Sequence, residues 1–185
     1  MNPGLPTKRR TRELQRGRTS LAGAVYFVTF CTWQRTPMFH SSMAHTAGRR
    51  VTRSMVEEGD VAMFAIITMP DHVHLLFRLG ERLTLDRVVA KWRALVGRLV
   101  VGLDWQPNFF EHRLRPSEEI ESYAWYVFMN PYRAGLIGLS ECWPGWWSDG
   151  SMDWKFLKEA RQGPCPQPEW MERVEDWEAT LVARE

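Results

Sequence analysis

Apolar residues along this chain change period several times, and each change marks an element. Ala24 to Trp33 (AVYFVTFCTW) is dense in β-branched and aromatic residues and predicts a strand. From Ser41 to Glu58 the apolar residues Met43, Ala47, Val51, Met55 and Val56 recur near helical spacing, and Gly59-Asp60 ends the run. Val61 to Met69 (VAMFAIITM) is almost wholly apolar and predicts a second strand. Pro70-Asp71 is a turn signal and His72 to Leu79 (HVHLLFRL) alternates, so a third strand pairs with the second as a hairpin. Between Thr84 and Val101, Leu85, Val88, Val89, Trp92, Leu95, Val96, Leu99 and Val100 keep a 3.6-residue period, the mark of an amphipathic helix. Phe109 to Arg115 (FFEHRLR) predicts a fourth strand. Ser117 then stands as an N-cap, Glu118, Glu119 and Glu121 complement a helix dipole, and Pro131 is expected to stop that helix near Asn130.

The order strand, helix, strand, strand, helix, strand, with one added C-terminal helix, is the ferredoxin-like split βαβ pattern. It predicts an α+β fold, an antiparallel sheet with helices packed on one face. The 185 residues suffice for one globular domain, and at 44% hydrophobic they can bury a core. The expected organisation is a flexible basic arm over residues 1–20, a domain over 21–140, and a Trp-rich, Pro-containing acidic tail over 141–185. That fold hosts many unrelated activities, so function must come from particular residues.

Charge sharpens the division. The net +2 hides +5 on residues 1–20, balance over 21–150 and −3 over 151–185. An arm carrying Arg9, Arg10 and Arg12 among its six cations suits a polyanion, or serves only as a solubilising tail. Cys31, Cys142 and Cys165 are odd in number and form no C-x-x-C pair, which points away from a disulfide framework or a cysteine zinc site and toward a reducing cytoplasm. The longest uncharged run, Thr19 to Gln34, falls short of the roughly 20 apolar residues of a membrane helix, so no membrane partner is expected. The basic N-terminus lacks the apolar stretch of a secretory signal.

Two groups of residues could carry chemistry. His72 and His74 lie two apart on a predicted strand, so their imidazoles leave the same face, roughly 6–7 Å apart along the backbone, and could converge on one metal ion or form a partly buried structural pair. Asp71 beside them is a ligand, an orienting partner or the turn residue. On the last helix, Ile120, Ala124, Val127 and Phe128 form the apolar stripe. Tyr123 sits at its edge and Tyr126 points roughly 100–120° away, with Asn130 one turn further on the same face.

Together these segments resemble a known family. MPDHVHLLF (Met69 to Phe77), YVFMNPYRAGLI (Tyr126 to Ile137), WQPNFFEHRLR (Trp105 to Arg115) and VYFVTFCTWQRTPMF (Val25 to Phe39) are similar, in order, to segments of the REP-associated tyrosine transposases. These are IS200-like members of the single-tyrosine HUH superfamily of DNA nucleases. The resemblance implies a metal-dependent nuclease and strand transferase acting on single-stranded DNA hairpins, the repetitive extragenic palindromes. It assigns Tyr126 as nucleophile on the added C-terminal helix, forming a 5′-phosphotyrosine, and His72, His74 and Asn130 as ligands of a divalent metal, Mg²⁺ or Mn²⁺. Related families place Gln or another polar group where Asn130 stands. The segment also departs from the pattern at Tyr132, where a small aliphatic residue is more usual. The family further implies a monomer, cytoplasmic and associated with the bacterial nucleoid.

Candidate DNA contacts are the arm, a helical stripe of Arg87, Lys91 and Arg98, and Arg113, Arg115 and Arg133, with Trp33, Trp105 and Trp125 as stacking platforms. His112 has a structural or a site role. Two rivals stand beside the transposase reading: a domesticated hairpin-binding protein without turnover, and a two-histidine phosphoesterase. The second would want another H-x-[ST] motif, and His40, His45 and His112 supply none.

Overall fold

A computed structural model describes residues 20–160 and 165–171. Its sheet is built from β1 (Val25–Cys31), β2 (Val61–Thr68), β3 (His72–Leu79), β4 (Phe110–Arg113) and β5 (Trp146–Trp147), ordered β4-β1-β3-β2-β5 with every pairing antiparallel. The helices are α1 (Ser42–Glu57), α2 (Leu85–Leu99), α3 (Ile120–Arg133) and the short α4 (Lys155–Glu159). The β1-α1-β2-β3-α2-β4 order with β1 and β3 central is the expected ferredoxin-like arrangement. Among the described residues no helix is long and apolar enough to cross a membrane.

Strand alternation sorts the core into two layers. Tyr26, Val28 and Phe30 of β1, with Val73, Leu75 and Phe77 of β3, face Val51 and Met55 of α1 and Val88, Trp92 and Val96 of α2. Ser41 caps α1 by accepting from the Ala44 N–H at 3.2 Å. The opposite face carries Phe27, Ile67 and Leu76 and packs on Ala124, Val127 and Phe128 of α3.

Helices on one face only is therefore too simple a picture. α3 covers the second face together with Trp154, Phe156 and Trp170, and β5 adds a fifth strand to the edge of β2. The reason lies in β2, which is apolar on both sides and has a bulge at Phe64 where the register shifts between Met63 and Ala65. Such a strand must be covered on both faces. Gly145 lets the chain reach that edge, since a Cβ there would lie 2.3 Å from the Thr68 carbonyl oxygen.

Two expectations about α3 change. The N-cap is Glu119 rather than Ser117, because Glu118 turns back to accept from the Arg115 N–H at 2.6 Å and from the Tyr123 hydroxyl at 3.0 Å. Pro131 does not stop the helix, which continues to Arg133. A proline in the last turn forfeits a single intrahelical bond, and Gly135 provides the actual stop. With φ at +64° it lets its own N–H reach Tyr132 O at 3.0 Å and the Leu136 N–H reach Pro131 O at 2.9 Å, the paired bonds of a Schellman motif.

Candidate active site

The two histidines are held by the central strands. In the β1–β3 register Cys31 pairs with His72 and Thr29 with His74, so Phe27, Thr29, His72 and His74 share the face toward α3. His74 stacks on Phe27, with ring centroids 5.4 Å apart and planes at 15°, and its Nδ1 shares a 2.7 Å hydrogen bond with Thr29 Oγ1. His72 stands edge-on to it with centroids 4.8 Å apart, and its Nδ1 lies 2.6 Å from Asp71 Oδ1. Asp71 is anchored in turn. Its backbone carbonyl accepts from the Thr32 N–H and hydroxyl, each at 2.9 Å, and Arg35 reaches its other carboxylate oxygen at 3.4 Å. Of the readings open for Asp71, the structure shows turn residue and orienter of His72.

From the facing helix, Tyr126 closes the cluster. Its ring lies 5.8 Å from that of His74 and 5.9 Å from that of Phe27, and the Arg133 guanidinium sits 5.1 Å above it. Asn130, one turn on, donates from its amide to the Tyr126 carbonyl at 3.1 Å. The other two tyrosines of α3 are committed elsewhere. Tyr123 is buried against His112, stacked at 5.6 Å, and both bind Glu118. Tyr132 is buried and donates to Glu141 O at 2.8 Å, and burial pushes its phenol far above the ordinary range.

Burial dominates the electrostatics of His74. Desolvation holds its imidazole well below the usual histidine range, the charges of His72, Arg35 and Arg133 act in the same direction, and the nearby Asn130 amide opposes them. The ring is therefore neutral near pH 7, and its buried Nε2 has no hydrogen-bond partner. Asp71 is held ionised, chiefly by its bond to His72. Two imidazoles, each engaged at Nδ1, suit a cation, because that partner fixes the ring and leaves Nε2 for the metal. Among the described residues no three His, Cys, Asp or Glu side chains converge, so the donor set is the histidine pair and what surrounds it.

The predicted cations are dispersed. Arg87 and Arg98 are exposed on α2, on the far side of the sheet, while Arg113 and Arg115 are exposed at the β4 edge. Lys91 is already matched by Glu58 at 2.7 Å and Asp60 at 2.5 Å. Arg133 lies over Tyr126, and Arg9, Arg10 and Arg12 fall outside the described residues. Of the three stacking candidates, Trp33 is exposed, but Trp105 packs among Phe30, Phe39 and Trp92 as part of the core. Trp125 packs on Trp170.

Sequence reasoning missed Thr29 and Arg35. Thr29 carries a period-2 signal, three residues of one face running Phe27, Thr29, Cys31, but its partner depends on strand register. Arg35 follows Gln34 in a short 3-10 turn, and both have positive φ, 51° and 58°, an uncommon conformation for side chains other than glycine.

Residues 20–101 match the family model described as "Transposase IS200 like". A REP-associated tyrosine transposase of Escherichia coli strain K12 is 29% identical over 84 residues, 43% of this chain and 50% of that protein. The chain thus aligns with only about half of that relative. A Haemophilus influenzae protein assigned to the same group is 24% identical over 140 residues, 66% of this chain and 78% of its own length. The solved structure of a REP-associated tyrosine transposase bound to a REP hairpin superposes with a TM-score of 0.57 at 19% identity, covering 76% of this chain and 94% of that one, and shares its fold. Over residues 20–101 the chain is similar to the IS200-like transposases, and the relatives it matches are REP-associated tyrosine transposases.

Proposed function

We propose that the protein cleaves and rejoins single-stranded DNA at the foot of REP-type hairpins, with Tyr126 as nucleophile. The observation that carries this reading is selective. Of three tyrosines on α3, Tyr126 stands beside the His72–His74 pair, whose rings are each engaged at Nδ1, while Tyr123 and Tyr132 spend their hydroxyls on Glu118 and Glu141. The Tyr126 oxygen would form a bond to phosphorus as the bond to the 3′-oxygen breaks. The proton the phenol loses is matched by the one the departing oxygen gains. A 5′-phosphotyrosine and a free 3′-hydroxyl result, and because one ester replaces another, a 3′-hydroxyl can reverse the step without ATP.

His72 and His74 would hold a divalent cation, Mg²⁺ or Mn²⁺, through Nε2, with Asn130 completing the protein's share. When bound, such a cation supplies Lewis-acid polarisation of a phosphate oxygen, and imidazole donors favour Mn²⁺ over Mg²⁺. Thr29 and Asp71 hold the two rings in orientation, and Arg133, lying across the phenol, balances negative charge beside it.

The test is a labelled hairpin with a single-stranded foot, incubated with Mn²⁺ and resolved under denaturing conditions. A covalent protein–DNA adduct is expected that Tyr126→Phe abolishes and Tyr123→Phe and Tyr132→Phe retain. An adduct surviving Tyr126→Phe would refute the assignment, and binding without any adduct would favour a non-catalytic hairpin-binding protein.

A further inference from the structure

On the face of the sheet covered by α1 and α2, opposite the one that α3 and Tyr126 cover, the outer surface of α1 and the β5 edge enclose a groove of roughly 540 Å³. It is lined by Thr46, Arg49, Arg50, Arg53, Ser54 and Trp147, with Glu57 at one end. The Arg53 guanidinium lies 5.6 Å over the Trp147 ring, and Arg49 donates to Thr46 Oγ1 at 3.2 Å. Among the described residues none of the three arginines has a carboxylate within salt-bridge distance. Nearby Lys91 and Arg82, by contrast, are matched to Asp60. The groove therefore concentrates positive charge that the fold itself does not use.

We infer that this groove is a second phosphodiester-binding site, which holds the backbone of a DNA strand apart from the His72–His74–Tyr126 centre. The inference rests on the DNA-hairpin reading above. A planar guanidinium matches phosphate with two parallel hydrogen bonds, and stacking on Trp147 orients that of Arg53 in advance. Arg49 and Arg53 are one turn apart, about 6 Å along the helix. That spacing lets the two guanidiniums reach neighbouring phosphates of a single strand. The Thr46 and Ser54 hydroxyls add donors of the kind that position a backbone without reading bases. The competing occupant is an acidic segment of the same chain, Glu172 to Glu178, which carries four carboxylates.

The experiment is fluorescence anisotropy of a labelled hairpin with the full chain and no added divalent metal. It compares the wild type with Arg49→Gln/Arg50→Gln/Arg53→Gln across a salt series, and thermal melting checks the fold. The triple variant is expected to bind roughly tenfold more weakly and to lose about 2 to 3 from the slope of log K against log salt, while adduct formation at saturating DNA keeps its rate. Unchanged affinity and slope would overturn the site, as would failure of the wild type to bind DNA. If Glu172→Gln/Glu175→Gln/Asp176→Asn/Glu178→Gln tightens binding only while the three arginines are present and the triple variant alone binds normally, the groove belongs to the acidic segment and the inference falls. Because the readout is binding without metal, a protein that binds through these arginines but forms no adduct fails the catalytic reading and keeps this one.

Discussion

Thr29 Oγ1 lies 2.7 Å from His74 Nδ1, across the β1–β3 pairing that sets these two residues opposite one another. With the hydroxyl accepting from Nδ1–H, the Nε2 lone pair is free to face the site, where that atom is buried and unpartnered. Thr29→Val keeps the shape and removes the acceptor. Calorimetric titration with Mn²⁺ is expected to show affinity falling about 10- to 100-fold, the usual cost of losing an orienting partner of a histidine ligand. Unchanged affinity would mean that Thr29 does not set the tautomer.

Tyr132 is the second phenol of the motif, and its place is structural. Tyr132→Phe breaks the bond to Glu141 O and leaves a half-buried carbonyl unpaired, so urea unfolding should record a loss of about 1 kcal/mol. Adduct formation should persist. Loss of the adduct in a protein that remains folded would transfer the nucleophile role to Tyr132.

Lys91 separates a phosphate-binding stripe from a structural cation. Asp60 is 1% exposed, and without Lys91 its nearest cation is Arg82 at 4.0 Å. Lys91→Ala is expected to cost about 2 kcal/mol in denaturant unfolding, moderated by partial solvent access at the lysine. Hairpin affinity should change less than about twofold, the effect of a single charge already neutralised. A large drop in affinity with unchanged stability would restore Lys91 to the DNA surface.

His45 gives the fold a pH dependence. It lies on the buried face of α1, its Nδ1 lies 2.6 Å from Thr68 Oγ1, and burial first, then the charges of Arg49 and His40, hold it down to about 4. The unfolded chain takes up a proton near pH 6.5 that the folded chain refuses. Its contribution is therefore complete above that pH and is lost as pH falls toward 4, at most about 3 kcal/mol. Unfolding free energies measured at about pH 7.5 and about pH 5 should differ less in His45→Gln than in the wild type. His74 is depressed in the same sense in both proteins, so the comparison isolates His45, and equal slopes would exclude it.

Much of the site was legible without tertiary structure because it follows from backbone periodicity. A strand repeats every two residues, which put His72 and His74 on one face, and a helix turn spans about four, which put Tyr126 beside Asn130. Local rules failed where a distant group competed. Ser117 is a sound N-cap in isolation, but Glu118 found the Arg115 N–H and Tyr123 instead. Pro131 is a sound stop, but the left-handed Gly135 ends the helix one residue past Arg133 and its cap.

The sequence by itself determined the order of elements, the shared face of the two histidines and the candidate tyrosine, since each depends on residues a few positions apart. Only the tertiary structure decided which phenol meets the imidazoles, which cations are already matched and which face of the sheet α3 covers. Those outcomes depend on strand register and on packing between residues as distant as Thr29 and His74, or Lys91 and Asp60. Periodicity says which way a side chain points, while what it meets is set by the fold.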